Sequence, residues 1–112
     1  MSPAENITQI LVAVTPSHYL VLGAILFSIG VLGFLVRSNV IVLLMCIELM
    51  INGAGVTFVA FCRQLGSLEG QVFVLFAMVV AAVEIAVGLS IILLVYRNRA
   101  TLDADEMEVL KW

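Results

Sequence analysis

The sequence predicts an all-α integral membrane protein with three transmembrane helices in up-down-up order and a short N-terminal interfacial helix. Three observations carry this. The chain of 112 residues is 63% hydrophobic and only 12% charged, whereas a soluble domain is about 45–50% apolar and about a quarter charged. The apolar residues are gathered into three long runs rather than spread along the chain. Each run is long enough for a helix to cross a hydrocarbon core of about 30 Å, which takes about 20 residues. Helices rather than strands are expected. A membrane barrel needs many alternating segments of about ten residues, and a helix satisfies its backbone hydrogen bonds within one segment.

Taken in chain order, Ser2-Pro3-Ala4-Glu5 reads as a helix start, with Ser at the N-cap, Pro in the first turn and Glu three residues after the cap. Ile7, Ile10, Leu11 and Val14 then recur at helical spacing. A short interfacial helix ending near Pro16 fits, as does a loosely ordered leader. No basic segment precedes an apolar core, so the stretch before His18 does not read as a signal peptide.

The spans follow. The first, Tyr19 to Val36, carries no charge. The second, Val40 to Cys62, carries one, Glu48. The third, Gln71 to Tyr96, also carries one, Glu84. The turn Arg37-Ser38-Asn39 makes the first two spans antiparallel neighbours, and an eight-residue loop runs from Arg63 to Gly70. Neither connection can hold a soluble module, so residues 1–112 form a single membrane domain. Residues 97–112 form an acidic tail with Asp103, Asp105, Glu106 and Glu108, expected to be solvated. Its ending Val109-Leu110-Lys111-Trp112 could dock on a partner or in the headgroup layer. Arg37, Arg97, Arg99 and Lys111 fall on one side and only Arg63 on the other. The positive-inside rule then places the first loop and C-terminus in the cytoplasm and the N-terminus outside.

Composition also excludes. Five Lys plus Arg against eight Asp plus Glu leave no basic face for nucleic acid. Cys46 and Cys62 both sit in apolar runs and read as small hydrophobes. His18 is the only histidine and sits at a span boundary, where an interfacial role is expected rather than ligation. No phosphate loop, haem motif or cysteine cluster is present, so no metal or cofactor site is expected on this chain.

The informative residues are Glu48 and Glu84. An ionisable side chain at the centre of a spanning helix costs roughly 2.5–3.5 kcal/mol on insertion scales, and such residues mark ion paths, proton relays or buried ion pairs. From helical rise, Glu48 lies about 12 Å and Glu84 about 18 Å from the cytoplasmic end. If both face inward, one or two waters could bridge them. Asn52 and Gly55 share a face with Glu48, and Ala77, Ala81 and Gly88 share a face with Glu84. Small residues at this spacing let helices approach closely in lipid. No Lys or Arg lies in either span, so each carboxyl must be protonated, hydrated or paired with a cation from another subunit. A carboxyl poised between charged and neutral is what a relay needs.

Ile47-Glu48-Leu49-Met50-Ile51-Asn52, Gly70-Gln71-Val72-Phe73 and Ala81-Ala82-Val83-Glu84-Ile85-Ala86-Val87-Gly88-Leu89 resemble motifs of the K-subunit family of proton-pumping NADH:quinone oxidoreductase, respiratory complex I. Arg37-Ser38-Asn39, Tyr96-Arg97-Asn98-Arg99 and Leu110-Lys111-Trp112 are similar to it too, so that the likeness runs from about Tyr19 to the C-terminus. Family members often carry two adjacent arginines in the first loop, where this chain has Arg37 and Ser38.

The resemblance implies a three-helix subunit of the membrane arm, packed between the J and N subunits and near A, and not functional as an isolated monomer. It implies no redox centre here, with flavin, iron–sulfur clusters and quinone in other subunits. Glu48 and Glu84 would join the chain of buried ionisable groups that couples quinone reduction to proton translocation. The membrane would be an energy-transducing one, the bacterial cytoplasmic (inner) membrane. Two other functions fit the same residues: a small subunit of a multi-subunit cation/proton antiporter, and a helix-packing scaffold with both glutamates in structural ion pairs.

Overall fold

The computed structural model describes residues 2–100 and 102–106. Four α-helices follow one another: α1 Pro3–Ala13, α2 Pro16–Val36, α3 Val40–Leu65 and α4 Leu68–Arg99, with a short 3-10 turn at Ala104–Glu106. α2, α3 and α4 are each long and apolar enough to cross a membrane.

The helix ends are set by specific caps. Ser2 and Glu5 form a reciprocal capping box at the start of α1, with the Ser2 N–H donating to Glu5 Oε2 at 2.7 Å. α1 stops at Ala13, because Val14 and Thr15 are extended and Pro16 opens α2. The Thr15 N–H donates to His18 Nδ1 at 3.1 Å, so His18 serves this cap. Asn39 Oδ1 accepts from the N–H groups of Ile41 and Val42 at the start of α3.

The connection from α3 to α4 is tighter than polarity suggests. The expected eight-residue loop is reduced to Gly66 and Ser67. Arg63 and Gln64 are good helix formers and carry α3 past the apolar run. The helix ends only where Gly66 takes the left-handed conformation at φ 67. Ser67 then caps α4 by accepting from the Gly70 N–H. α4 likewise runs to Arg99, beyond the expected Tyr96.

Packing rests on small residues, since apolar side chains gain little by leaving lipid for protein. α2 packs closely along α3, more extensively than α3 along α4. At this seam a methyl group on Gly53 would lie 2.8 Å from the Gly23 carbonyl oxygen and 2.9 Å from the Phe27 nitrogen. Only hydrogen fits there. The α3–α4 seam is built from Ala60 and Cys62 against Gly70, Val74 and Ala81, with Phe58 and Phe73 ring centroids 5.6 Å apart. Large apolar side chains such as Leu35, Phe76 and Val79 are exposed on the outside of the bundle.

The tail departs from a purely solvated strand. Ala100 reverses the chain at φ 53. Leu102 and Asp103 then return, half-buried, to the first loop. The Val40 N–H donates to the Leu102 carbonyl at 2.8 Å and the Ala104 N–H to the Ser38 carbonyl at 3.0 Å. The former occupies a donor in the first turn of α3 that no intrahelical acceptor can reach. Glu108 and the Val109-Leu110-Lys111-Trp112 ending lie outside the described residues.

Candidate functional site

Among the described residues, the hydroxyls inside the spans are satisfied locally. The hydroxyls of Ser28, Thr57 and Ser90 donate to carbonyl oxygens four residues back, at 2.7, 3.0 and 2.8 Å. This leaves no unmet donor in oil. Glu48 is different. Its Oε1 accepts from Asn52 Nδ2 at 3.3 Å, one helical turn further along α3. Its Oε2 is buried and, among the described residues, has no hydrogen-bond partner. A buried carboxyl oxygen without a partner carries a desolvation cost. Such a position calls for a proton, a water or a donor from another chain.

The surroundings of Glu48 are open rather than packed. A cleft of about 590 Å³ between α3 and α4 runs from Glu48 and Asn52 past Gly55 and Ala81 to Arg63 and Tyr19. A second cleft of about 360 Å³ lies the other way, among Leu44, Met45, Ile85 and Leu89, and Glu48 and Asn52 line it too. The Glu48–Asn52 pair therefore stands at the divide between two cavities. Gly55 keeps the larger one open: a methyl group there would meet nothing within 4 Å. Ala81 is buried in the opposite wall. Gly88 marks a contact instead, its Cβ position lying 3.4 Å from Leu44 Cδ1.

That contact fixes the relative depth of the two carboxylates. Leu44 and Gly88 are level, and α3 and α4 are antiparallel. Glu48 lies four residues after Leu44 and Glu84 four residues before Gly88, so both are about 6 Å further toward the same side. Their depths match more closely than counting from the span ends suggests.

Their faces do not match. Glu84 is exposed, lines neither cleft and has no hydrogen-bond partner among the described residues. On α4 it lies about 60° to one side of Ala81, about 20° beyond the cleft-lining Ala77, while Met78 and Ala82 lie to the other side. Of the two carboxyls, only Glu48 lines the clefts within this chain. Ala81 and Gly88 take the face against α3, and Glu84 sits at the edge of that face, exposed within this chain. Arg37 is exposed at the end of α2 and faces neither cleft.

Sequence reasoning missed Tyr19 and Arg63 as residues at the far end of the larger cleft. Nothing in their spacing relates them to Glu48. Only the antiparallel pairing brings the start of α2 beside the end of α3. Among the described residues, no three His, Cys, Asp or Glu side chains converge as a metal site would need.

Comparison with known proteins places the chain among respiratory membrane subunits. The family model for NADH-ubiquinone/plastoquinone oxidoreductase chain 4L matches residues 18–112. The chain is 56% identical over 95 residues to NADH-quinone oxidoreductase subunit K of Leptothrix cholodnii, covering 84% of this chain and 94% of that one. It is 50% identical over 96 residues to NADH-quinone oxidoreductase subunit K 2 of Geotalea uraniireducens, covering 86% and 96%. It is 50% identical over 93 residues to subunit K 1 of Geobacter sulfurreducens, covering 83% and 93%.

Proposed function

The chain belongs to the NADH-ubiquinone/plastoquinone oxidoreductase chain 4L family, and from that premise we propose that it is a membrane-arm subunit of a proton-translocating NADH:quinone oxidoreductase in which Glu48 accepts and releases protons. The chain supplies no redox centre. Flavin, iron–sulfur clusters and quinone belong to other subunits, and J-, N- and A-type membrane subunits are its neighbours. It lies in the bacterial cytoplasmic membrane with its N-terminus outside, the sense favoured by Arg37, Arg97 and Arg99 on one side against Arg63 on the other. Lys111, which adds to that count, lies outside the described residues.

One observation carries the proton role: Glu48 Oε2 is buried and unpartnered while Asn52 holds Oε1. Glu48 thus stands at the divide of two cavities, and a small change in packing would bring water from either one to the covered oxygen. Glu84, at the same depth on the outer flank of α4, is a second station that hands protons to or from groups of an adjacent subunit. The neighbouring subunits drive the exchange by changing the electrostatic field and the hydration of the clefts.

The test is Glu48→Gln in the assembled complex, reconstituted in vesicles. Gln keeps the size and the bond to Asn52 but cannot titrate. Proton uptake per NADH should fall sharply, with quinone reduction slowed alongside. Pumping and reductase rates equal to those of the unaltered complex would remove Glu48 from the relay.

A further inference from the structure

We propose that α1 is a membrane-surface helix, lying in the headgroup layer of the outer leaflet with its apolar face against zwitterionic lipid.

α1 stands apart from the rest of the molecule. It precedes residue 18, where the family match begins. None of its residues is buried by its own chain. Its larger apolar residues lie mostly to one side. Within the helix Ile7, Ile10 and Leu11 fall within about 100° of arc, with Glu5, Gln9 and the smaller Val12 opposite. Ile7, Ile10 and Leu11 are 58%, 67% and 65% exposed. Left in water, that face forgoes about 25 cal/mol for each Å² it could bury.

Geometry supplies the lipid. α2 has 21 residues, about 31 Å at 1.5 Å per residue, which is the thickness of the hydrocarbon core itself. It has no spare length to hold its first residue, Pro16, away from the boundary. Only Val14 and Thr15 separate α1 from α2, so Ala13 lies at most about 11 Å from Pro16. The headgroup layer is about 5–7 Å thick on each side. The link cannot carry the end of α1 more than about 4–6 Å past that layer. The extended Val14–Thr15 link and Pro16 interrupt the helix, so α1 is not bound to follow the axis of α2.

Charge selects the lipid class. Surface helices that seek anionic lipid carry Lys and Arg on the polar face. α1 carries none, and its one charged side chain is Glu5. It gains nothing from anionic headgroups and is suited to phosphatidylcholine- or phosphatidylethanolamine-like surfaces.

The test places a photoreactive benzoylphenylalanine at Leu11 or Ile10 on the apolar face, and at Gln9 or Asn6 off it. The full complex is reconstituted in phosphatidylcholine nanodiscs, with and without phosphatidylglycerol. Two positions per face keep the test valid if one substitution prevents assembly, and assembly is scored separately by co-purification. The expected result is acyl-chain adducts many-fold more abundant at Leu11 and Ile10 than at Gln9 and Asn6, unchanged by phosphatidylglycerol. Adducts to protein at Leu11 and Ile10, equal lipid adducts on both faces, or no adducts on either face would overturn the surface placement. A several-fold rise with phosphatidylglycerol would overturn the lipid class.

Discussion

Asn52 determines which oxygen of Glu48 is available. The pair is an i, i+4 contact on one helix face, so it forms without help from any other element. Removing the donor leaves Oε1 as exposed to desolvation as Oε2. A hydrogen bond to a charged group is worth about 1.5–3 kcal/mol. Asn52→Leu should therefore slow proton-coupled turnover about tenfold or more while the subunit still assembles, read as initial pumping rate in vesicles. Glu84 poses a different question, because its carboxyl leaves the bundle beside Ala81. If Glu48 and Glu84 serve one path in series, their effects are not additive. The double variant Glu48→Gln/Glu84→Gln should pump no worse than the weaker of the two single variants. Multiplied losses would mean two separate paths. The identity of both carboxylates and the Glu48–Asn52 pairing are legible in the sequence, since residue type and helical spacing decide them. The outward turn of Glu84 is not. It depends on which stripe of small residues α4 lays against α3.

The helices are held by contrasts among their glycines. At Gly53 a methyl group would press on backbone of α2, whereas at Gly55 it would meet open cleft. Overpacking a tight seam costs about 1–3 kcal/mol. Gly53→Ala should lower the retention of this subunit in the purified complex and its thermal midpoint. Gly55→Ala should leave both unchanged. From sequence, Gly55 is the close-packing residue, on the face of Glu48, and Gly53 carries no such reading; the structure reverses this. Their difference arises because α3 shows Gly53 to α2 and Gly55 to the cavity. The same limit applies to the α3–α4 turn. Polarity marked residues 63–70 as loop, but the backbone conformation at Gly66 is what ends the helix.

Viewed whole, the chain is three spanning rods joined at one side by a two-residue turn and at the other by the first loop and the returning tail. The tail contact is a pair of backbone bonds between residues far apart in sequence, Val40 with Leu102 and Ser38 with Ala104. Ala104→Pro removes the donor to the Ser38 carbonyl, a loss of about 1 kcal/mol. The Val40 amide, bonded to Leu102 in the same contact, should exchange its hydrogen several-fold faster in the assembled complex. An unchanged exchange rate would mean that the tail does not protect the start of α3. The clefts flanking Glu48 are also properties of the whole. They exist because α4 meets α3 at Leu44–Gly88 and at Cys62–Gly70 and leaves the length between loosely filled.

By itself the sequence determined the membrane class, the number and order of spans, the two carboxylates and the family motifs. These follow from hydrophobic run length, helical period and residue identity, which are local. The tertiary structure decided that Glu48 faces two cavities while Glu84 faces outward at the same depth, that Tyr19 and Arg63 line one cavity, and that the tail folds back on the first loop. Those depend on how the rods rotate about their own axes when small residues interlock. No single span carries that angle.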